Sequence, residues 1–247
     1  MYKIVLLRHG ESVWNKKGLF TGWTDVNLTK KGEAEARESG RKLKQKGFVF
    51  DLAYTSLLRR ASRTLGLALK TMKQKKISVN VDWRLNERHY GGLQGLSKVV
   101  MAKKFGLAQI FRWRRGYNVH PPKITASNRY DQRDDKKYRG IRVPREESLE
   151  DVVNRVVPFW REKVVPGIKN GDRILIAASG NSLRALIKYL DNVPAREIVK
   201  LDIPFAIPLV YELDRNLKPR RHYYLATKKK LAAEIERVRR LGEIKID

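Results

Sequence analysis

Tyr2–Leu7 is dense in Ile, Val and Leu, the composition of a strand buried in a sheet. Asp51–Tyr54, Ile77–Val81 and Arg173–Ala178 read the same way, and Pro208–Leu213 and His222–Leu225 complete the strand candidates. Between them the pattern turns helical. Thr29 can cap a helix that runs to about Lys46, with Gly47 to end it. A second helix is predicted from about Leu57 to Met72, and short ones over Lys98–Phe105 and Ala108–Trp113, joined near Gly106. Ser148 with Asp151 makes a capping-box-like start. Leu149, Val152, Val153, Val156, Val157 and Trp160 then keep helical spacing, and Pro158 is expected to kink the helix. Asn181–Leu190 and the basic Lys228–Arg240 are the last helices.

Strands alternating with helices predict an α/β fold: a three-layer sandwich with a mostly parallel central sheet flanked by helices on both faces. Gly116–Arg145 breaks the pattern, with Pro121, Pro122, Asn128, Asp131, Asp134, Asp135 and Pro144 and no period. It reads as a long loop over the site, since loops of this length usually serve as lids or binding segments. Neither a repeat nor a linker divides residues 1–247, so one domain is expected, ending in a basic tail over 227–247.

Composition narrows the chemistry. Lys and Arg number 54 against 26 Asp and Glu, a net charge of +28, which favours anionic partners: phosphorylated metabolites, nucleic acid or acidic membrane surfaces. Because these residues are spread along the whole chain, a solvated basic surface accounts for them equally well. There is no cysteine, which excludes disulfides, thiolate metal sites and cysteine catalysis. No apolar stretch is long enough to cross a bilayer, and Met1–Leu7 reads as a strand rather than a signal peptide. A cytoplasmic protein without a membrane partner is the expectation.

Two strand-to-helix junctions concentrate the candidate chemistry. The first is Arg8-His9-Gly10-Glu11-Ser12 and the second Ser179-Gly180-Asn181-Ser182-Leu183-Arg184. Ligands of open parallel sheets bind beyond the carboxyl ends of strands, where helix N-termini offer free N–H groups to anions. These residues alone predict a phosphate pocket with His9 and Arg8 at its floor. The plain alternatives are a hydrogen-bonded core histidine, a surface Glu87 paired with Arg88, and solvated Lys and Arg elsewhere.

The segments LLRHGESVWNKKGLFTGWTDVNLTKKG, LNERHYGGLQGL, FRWRRGY, ESLEDVVNRVVPFW, RILIAASGNSLRALIKYLDNVP, LDIPFAIPLVYELD and RHYYL, in that order, resemble the cofactor-dependent phosphoglycerate mutases of the histidine phosphatase superfamily. The resemblance spans residue 2 to about 226. It implies interconversion of 3- and 2-phosphoglycerate through a phosphohistidine on His9, primed by 2,3-bisphosphoglycerate and needing no metal. It further implies a homo-dimer or homo-tetramer. By the same resemblance Glu87 is the proton donor and acceptor, and Arg8 and Arg60 clamp the transferring phosphoryl group. Asn15, Thr21, Gly22, Arg88, His89, Tyr90, Lys98, Arg114, Arg115, Gly180 and Asn181 fall at substrate-binding positions. Trp14, Trp23 and Trp83 read as packing residues.

One departure stands out. The family pattern A-A-H-G-N-S is here Ala177-Ala178-Ser179-Gly180-Asn181-Ser182, so Ser179 replaces the second catalytic histidine. Loss of one preorganised donor to a transition-state charge costs roughly 10²–10³ in rate, so an impaired mutase is one expectation. An inactive or slow-phosphatase member that binds phosphorylated ligands is another, and a nonspecific polyanion-binding protein on this scaffold a third. His120, on the polar loop, is the one histidine outside the family-like segments and a candidate to swing over the pocket.

Overall fold

The computed structural model describes residues 1–242; the remaining five residues of the predicted tail lie outside them. The elements run β1 Tyr2–Arg8, α1 Val13–Lys16, α2 Lys30–Gln45, β2 Leu52–Thr55, α3 Arg59–Met72, β3 Ser78–Val81, α4 Lys98–Phe105, α5 Leu107–Arg115 and α6 Leu149–Phe159. There follow α7 Val165–Lys169, β4 Ile174–Ala178, α8 Gly180–Leu190, α9 Ala195–Ile198, β5 Leu209–Leu213, β6 Pro219–Tyr224 and α10 Lys228–Arg240.

The six strands form one sheet in the order β3-β2-β4-β1-β5-β6. β3, β2, β4 and β1 are parallel, while β5 and β6 add an antiparallel edge. In the two central strands alternate residues face opposite layers. Ile4, Leu6, Ile174 and Ile176 pack against α6 and α8 through Val152, Val156, Leu183 and Leu186. Val5, Leu7, Leu175 and Ala177 pack against α2 and α3 through Leu43, Leu65 and Ala68. Burial on both faces explains why these strands carry continuous apolar runs.

Three expectations gain detail in the structure. The helix opened by Ser148, in which Pro158 is expected to make a kink, runs past that proline: α6 passes into a widened turn of π type over Trp160–Val164 and continues as α7. Pro158 lies inside α6, before the widened turn, and removes one N–H without ending the helix. The final hairpin is longer than His222–Leu225 suggested, because β6 starts at Pro219 on an exposed edge, where a missing N–H costs little. Residues 116–145, expected as a long loop over the site, carry tertiary ties to the body. Tyr138 packs against Trp23 (ring centroids 5.0 Å apart, planes tilted by 32°), Gln132 bonds His89 and Lys137 pairs with Asp25. Aromatic burial and these polar ties hold the segment against the body.

Candidate active site

β1 and β4 lie side by side in parallel register, Arg8 opposite Ala178. The His9 N–H donates to the Ala178 carbonyl at 3.1 Å, so His9 and Ser179 leave neighbouring strand ends together. Gly10 is required at the first turn. A Cβ there would sit 2.3 Å from the Gly32 carbonyl oxygen at the start of α2.

His9 is buried, and its Nδ1 lies 2.7 Å from the Gly10 carbonyl oxygen. Only a protonated Nδ1 can donate to a carbonyl, which leaves Nε2 with its lone pair. Burial, and then the nearby Arg60 and Arg8 charges, hold the ring's pKa well below the usual histidine value. The imidazole is therefore neutral at pH 7, the form that a nucleophile needs.

Among the described residues, His9 opens on a hollow lined by six basic side chains, Arg8, Arg60, Lys98, Arg114, Arg115 and Arg184, against two carboxylates, Glu87 and Asp202. Arg8 rests on Phe205, 3.9 Å from its ring centre, and donates to the Ile203 carbonyl. Its Nε is buried without a partner, and burial pulls its pKa down to about 10. Arg60, on the first turn of α3, donates to the carbonyls of Thr24 (3.0 Å) and Gly22 (2.7 Å). Burial lowers the Lys98 ammonium to about 7, with Arg114, Arg8 and Arg115 adding repulsion. Cations gathered at this cost imply an anionic occupant.

Glu87 sits at the start of α8. Its Oε1 accepts from the Asn181 Nδ2 (2.6 Å), the Arg88 backbone N–H (2.8 Å) and, at 3.3 Å, the Asn181 backbone N–H. It thereby takes the capping place that Ser179 leaves vacant. Ser179 is the N-cap residue of α8, yet its side chain makes no capping bond, and its fully buried Oγ has no partner.

Of the sequence-predicted residues, Arg8, His9, Asn15, Thr21, Arg60, Glu87, Tyr90, Lys98, Arg114, Arg115, Gly180 and Asn181 line one hollow. Gly22, Arg88 and His89 are not among the lining residues. The Gly22 carbonyl supports Arg60 from behind. The Arg88 guanidinium turns its Nη atoms to the Arg114 and Gly116 carbonyls and the Tyr90 hydroxyl, leaving its buried Nε unpartnered among the described residues. His89 is a core histidine: its Nδ1 accepts the Gly91 N–H (3.0 Å) and its Nε2 faces Gln132 (3.1 Å). Glu87 and Tyr90 face the hollow, so the two residues between them turn into the protein. His120 is exposed, 2.7 Å from Asp151, and does not line the hollow.

Sequence reasoning placed Arg184 at the second junction without giving it a role and missed Asp202, Phe205 and the tail residues Val238, Leu241 and Gly242, all of which line the hollow. Arg184 was discoverable, being one helical turn beyond Asn181 on α8. The tail is tied down by Arg237, which reaches Glu11 (3.2 Å) and Glu35 (2.7 Å) and, like pocket-lining Arg8, lies near the Phe205 ring. Arg114 also bonds the Gly242 carbonyl.

A family model described as histidine phosphatase superfamily (branch 1) matches residues 4–135, more than half of the chain. The chain belongs to the histidine phosphatase superfamily. Solved structures agree on the fold. A mycobacterial glucosyl-3-phosphoglycerate phosphatase superposes with a TM-score of 0.69 at 22% identity, covering 92% of this chain and 99% of that one. A putative alpha-ribazole-5'-P phosphatase from Escherichia coli gives 0.66 at 20% identity, covering 91% and 95%. Bacillus stearothermophilus YhfR gives 0.68 at 21% identity, covering 88% and 94%. As a superfamily member the chain is built for phosphoryl transfer. Among the described residues no helix is long and apolar enough to cross a membrane, and no three His, Cys, Asp or Glu gather as a metal site.

Proposed function

We propose that this chain moves phosphoryl groups on a small phosphorylated carboxylic acid through a phosphohistidine on His9, with 3- and 2-phosphoglycerate as the substrate pair. The observation that carries the reading is the His9 ring itself: neutral, fixed by its Nδ1 proton, and caged by guanidinium groups. The Nε2 lone pair attacks phosphorus, the P–O bond to the substrate breaks, and Glu87 supplies the proton that the departing oxygen needs. In the return step Glu87 takes the proton of the acceptor hydroxyl as that oxygen attacks the phosphohistidine. Arg8 and Arg60 stabilise charge on the equatorial oxygens.

The mutase form is supported by what lies beyond the first phosphate. Lys98, Arg114, Arg115 and Arg184 supply charge for a second anionic group, and the tail residues cover it. The buried, unpartnered Nε atoms of Arg8 and Arg184 fit an oxyanion. Those residues would hold 2,3-bisphosphoglycerate, which when bound supplies the phosphoryl group that primes the histidine.

Ser179 favours a second reading, slow hydrolysis. With no imidazole on the β4 side, transfer back to a carbon-bound oxygen loses a donor. The solved relatives named as phosphatases point the same way.

One experiment separates the two. The protein is incubated with 3-phosphoglycerate and a trace of 2,3-bisphosphoglycerate; 2-phosphoglycerate and inorganic phosphate are followed, and phosphate on His9 is sought by mass spectrometry. 2-Phosphoglycerate marks a mutase, and phosphate release alone marks a phosphatase. His9→Ala is expected to lower either activity by about 10⁶-fold, the scale on which deleting a covalent nucleophile acts. No phosphohistidine, and turnover equal to that variant, rejects both readings.

A further inference from the structure

Arg184 enters the hollow from the second turn of α8, and its chief partner is another residue of the site. Its Nη1 donates to the Asn181 Oδ1 at 2.8 Å, and its Nη2 donates to the Ile198 carbonyl at 2.5 Å. A guanidinium has donors only, so the Asn181 amide must turn its oxygen toward Arg184. Its NH₂ then points the other way, to the Glu87 Oε1 at 2.6 Å and the Tyr90 hydroxyl at 3.3 Å. The flipped amide would set oxygen against carboxylate and NH₂ against guanidinium, two repulsive contacts in place of two charge-assisted bonds.

We propose that Arg184 is a positioning residue which, through the Asn181 amide, fixes Glu87 so that Oε2 is the oxygen that exchanges the substrate's proton. The inference rests on the phosphohistidine reading and deepens it. Oε1 already accepts from Asn181 Nδ2 and the Arg88 N–H, whereas among the described residues Oε2 meets only the Asn181 backbone N–H, at 3.5 Å. A proton carried by Glu87 therefore belongs on Oε2. The other groups that act on this carboxyl are Arg8 from β1, Arg60 from α3, the Arg184 charge itself, which Arg184→Lys retains, and Tyr90 and the Arg88 N–H beside it. They supply charge or single bonds, and only Asn181 has an orientation to be set.

The test compares Arg184→Met, Arg184→Lys, Asn181→Ala and the Arg184→Met/Asn181→Ala double variant. Turnover is measured across pH, and thermal unfolding serves as the control for folding. Arg184→Met is expected to lower kcat about 10- to 100-fold, the worth of one hydrogen bond to a charged group, and to raise KM as well, because the same guanidinium faces the anion in the hollow. The limb of the pH–rate profile that reports loss of the Glu87 proton should move to higher pH, since an acceptor turned toward the carboxyl disfavours its charged form. Arg184→Lys, which keeps a donor, should recover most of kcat. Asn181→Ala should reproduce the same shift, and the double variant should be no worse than Asn181→Ala alone.

A raised KM with kcat unchanged, an unmoved pH limb, or additive losses in the double variant overturns the proposal. Should Arg184→Met fail to fold, Arg184→Lys and Asn181→Ala carry the same comparison: a lysine variant no better than the alanine variant overturns it. A wild-type protein without phosphohistidine overturns the underlying reading as well. Wild-type phosphohistidine with an unmoved limb in Arg184→Met overturns this inference alone.

Discussion

Strands β1 and β4 are neighbours in register, and each ends in a tight turn whose residues line the same hollow. The β1 turn carries the imidazole, buried, neutral and fixed through Nδ1. The β4 turn carries a serine whose hydroxyl bonds to nothing, followed by Asn181, which is committed to Glu87. The backbone frames are alike, but the side chains differ: one strand end presents a neutral imidazole, and the other, through Asn181, holds the Glu87 carboxyl. The difference teaches that a phosphoryl group bound here meets an imidazole on one side only. Arginines must supply whatever charge stabilisation a second one would have given.

Putting an imidazole back on the β4 side tests this most severely. Ser179→His is expected to raise mutase turnover by roughly 10²–10³, measured as 2-phosphoglycerate formed from 3-phosphoglycerate. A folded variant with an unchanged rate would mean that the arginines already suffice, and the contrast between the two strand ends would lose its catalytic meaning.

The glycines that follow sharpen the comparison by structure rather than chemistry. At Gly10 a methyl group would meet the backbone of Gly32, which cannot give way. At Gly180 it would stand 3.3 Å from the Nε of Arg8, the far end of a flexible side chain. Gly10→Ala is therefore expected to cost about 1–3 kcal/mol, lowering Tm by roughly 2–12 °C in a chain of this size. Gly180→Ala should leave Tm within about 2 °C and weaken inorganic phosphate binding about tenfold, since Arg8 shifts. Calorimetry and a phosphate titration read both. Equal Tm losses in the two variants would show that the β1 turn is no more tightly built than the β4 turn.

Much of this was legible in the sequence, and the boundary is physical. Strands buried on both faces announce themselves, as Ile4–Leu7 and Ile174–Ala178 did, because burial leaves no polar alternation to misread. Turn residues such as Arg8-His9-Gly10 were readable because strand ends in parallel sheets place ligands there. What a neighbouring side chain faces is a tertiary matter. Glu87 and Tyr90 could not be told from Arg88 and His89 by spacing in an irregular segment. Residues 116–145 read only as a long loop over the site because aromatic anchors such as Tyr138 carry no period. The tail's part in the hollow rests on Arg237 finding Glu11 and Glu35, more than 200 residues away along the chain.

The smallest expected effect is on stability in acid, and it again sets the two strand ends apart. An unfolded histidine titrates near 6.5, whereas His9 is held neutral in the fold to well below that. Below about pH 6.5 the unfolded chain thus binds a proton that the folded chain refuses, so stability present at pH 8 is lost as pH falls. Each such histidine contributes at most about 1.4 kcal/mol per pH unit. His89, pushed down to about 4 chiefly by burial, adds the same slope to every variant and cancels in comparisons. His9→Gln should accordingly flatten the fall in urea-unfolding free energy between pH 6.5 and 5. Ser179→His, which places a second imidazole beside the same arginines, should steepen it, and Ser179→Ala should leave it unchanged. All four proteins should keep their mutual differences constant above pH 7.5. A His9→Gln protein with the wild-type slope would show that the β1 imidazole is free to charge in the folded state, and the asymmetry between the strand ends would then be one of shape alone.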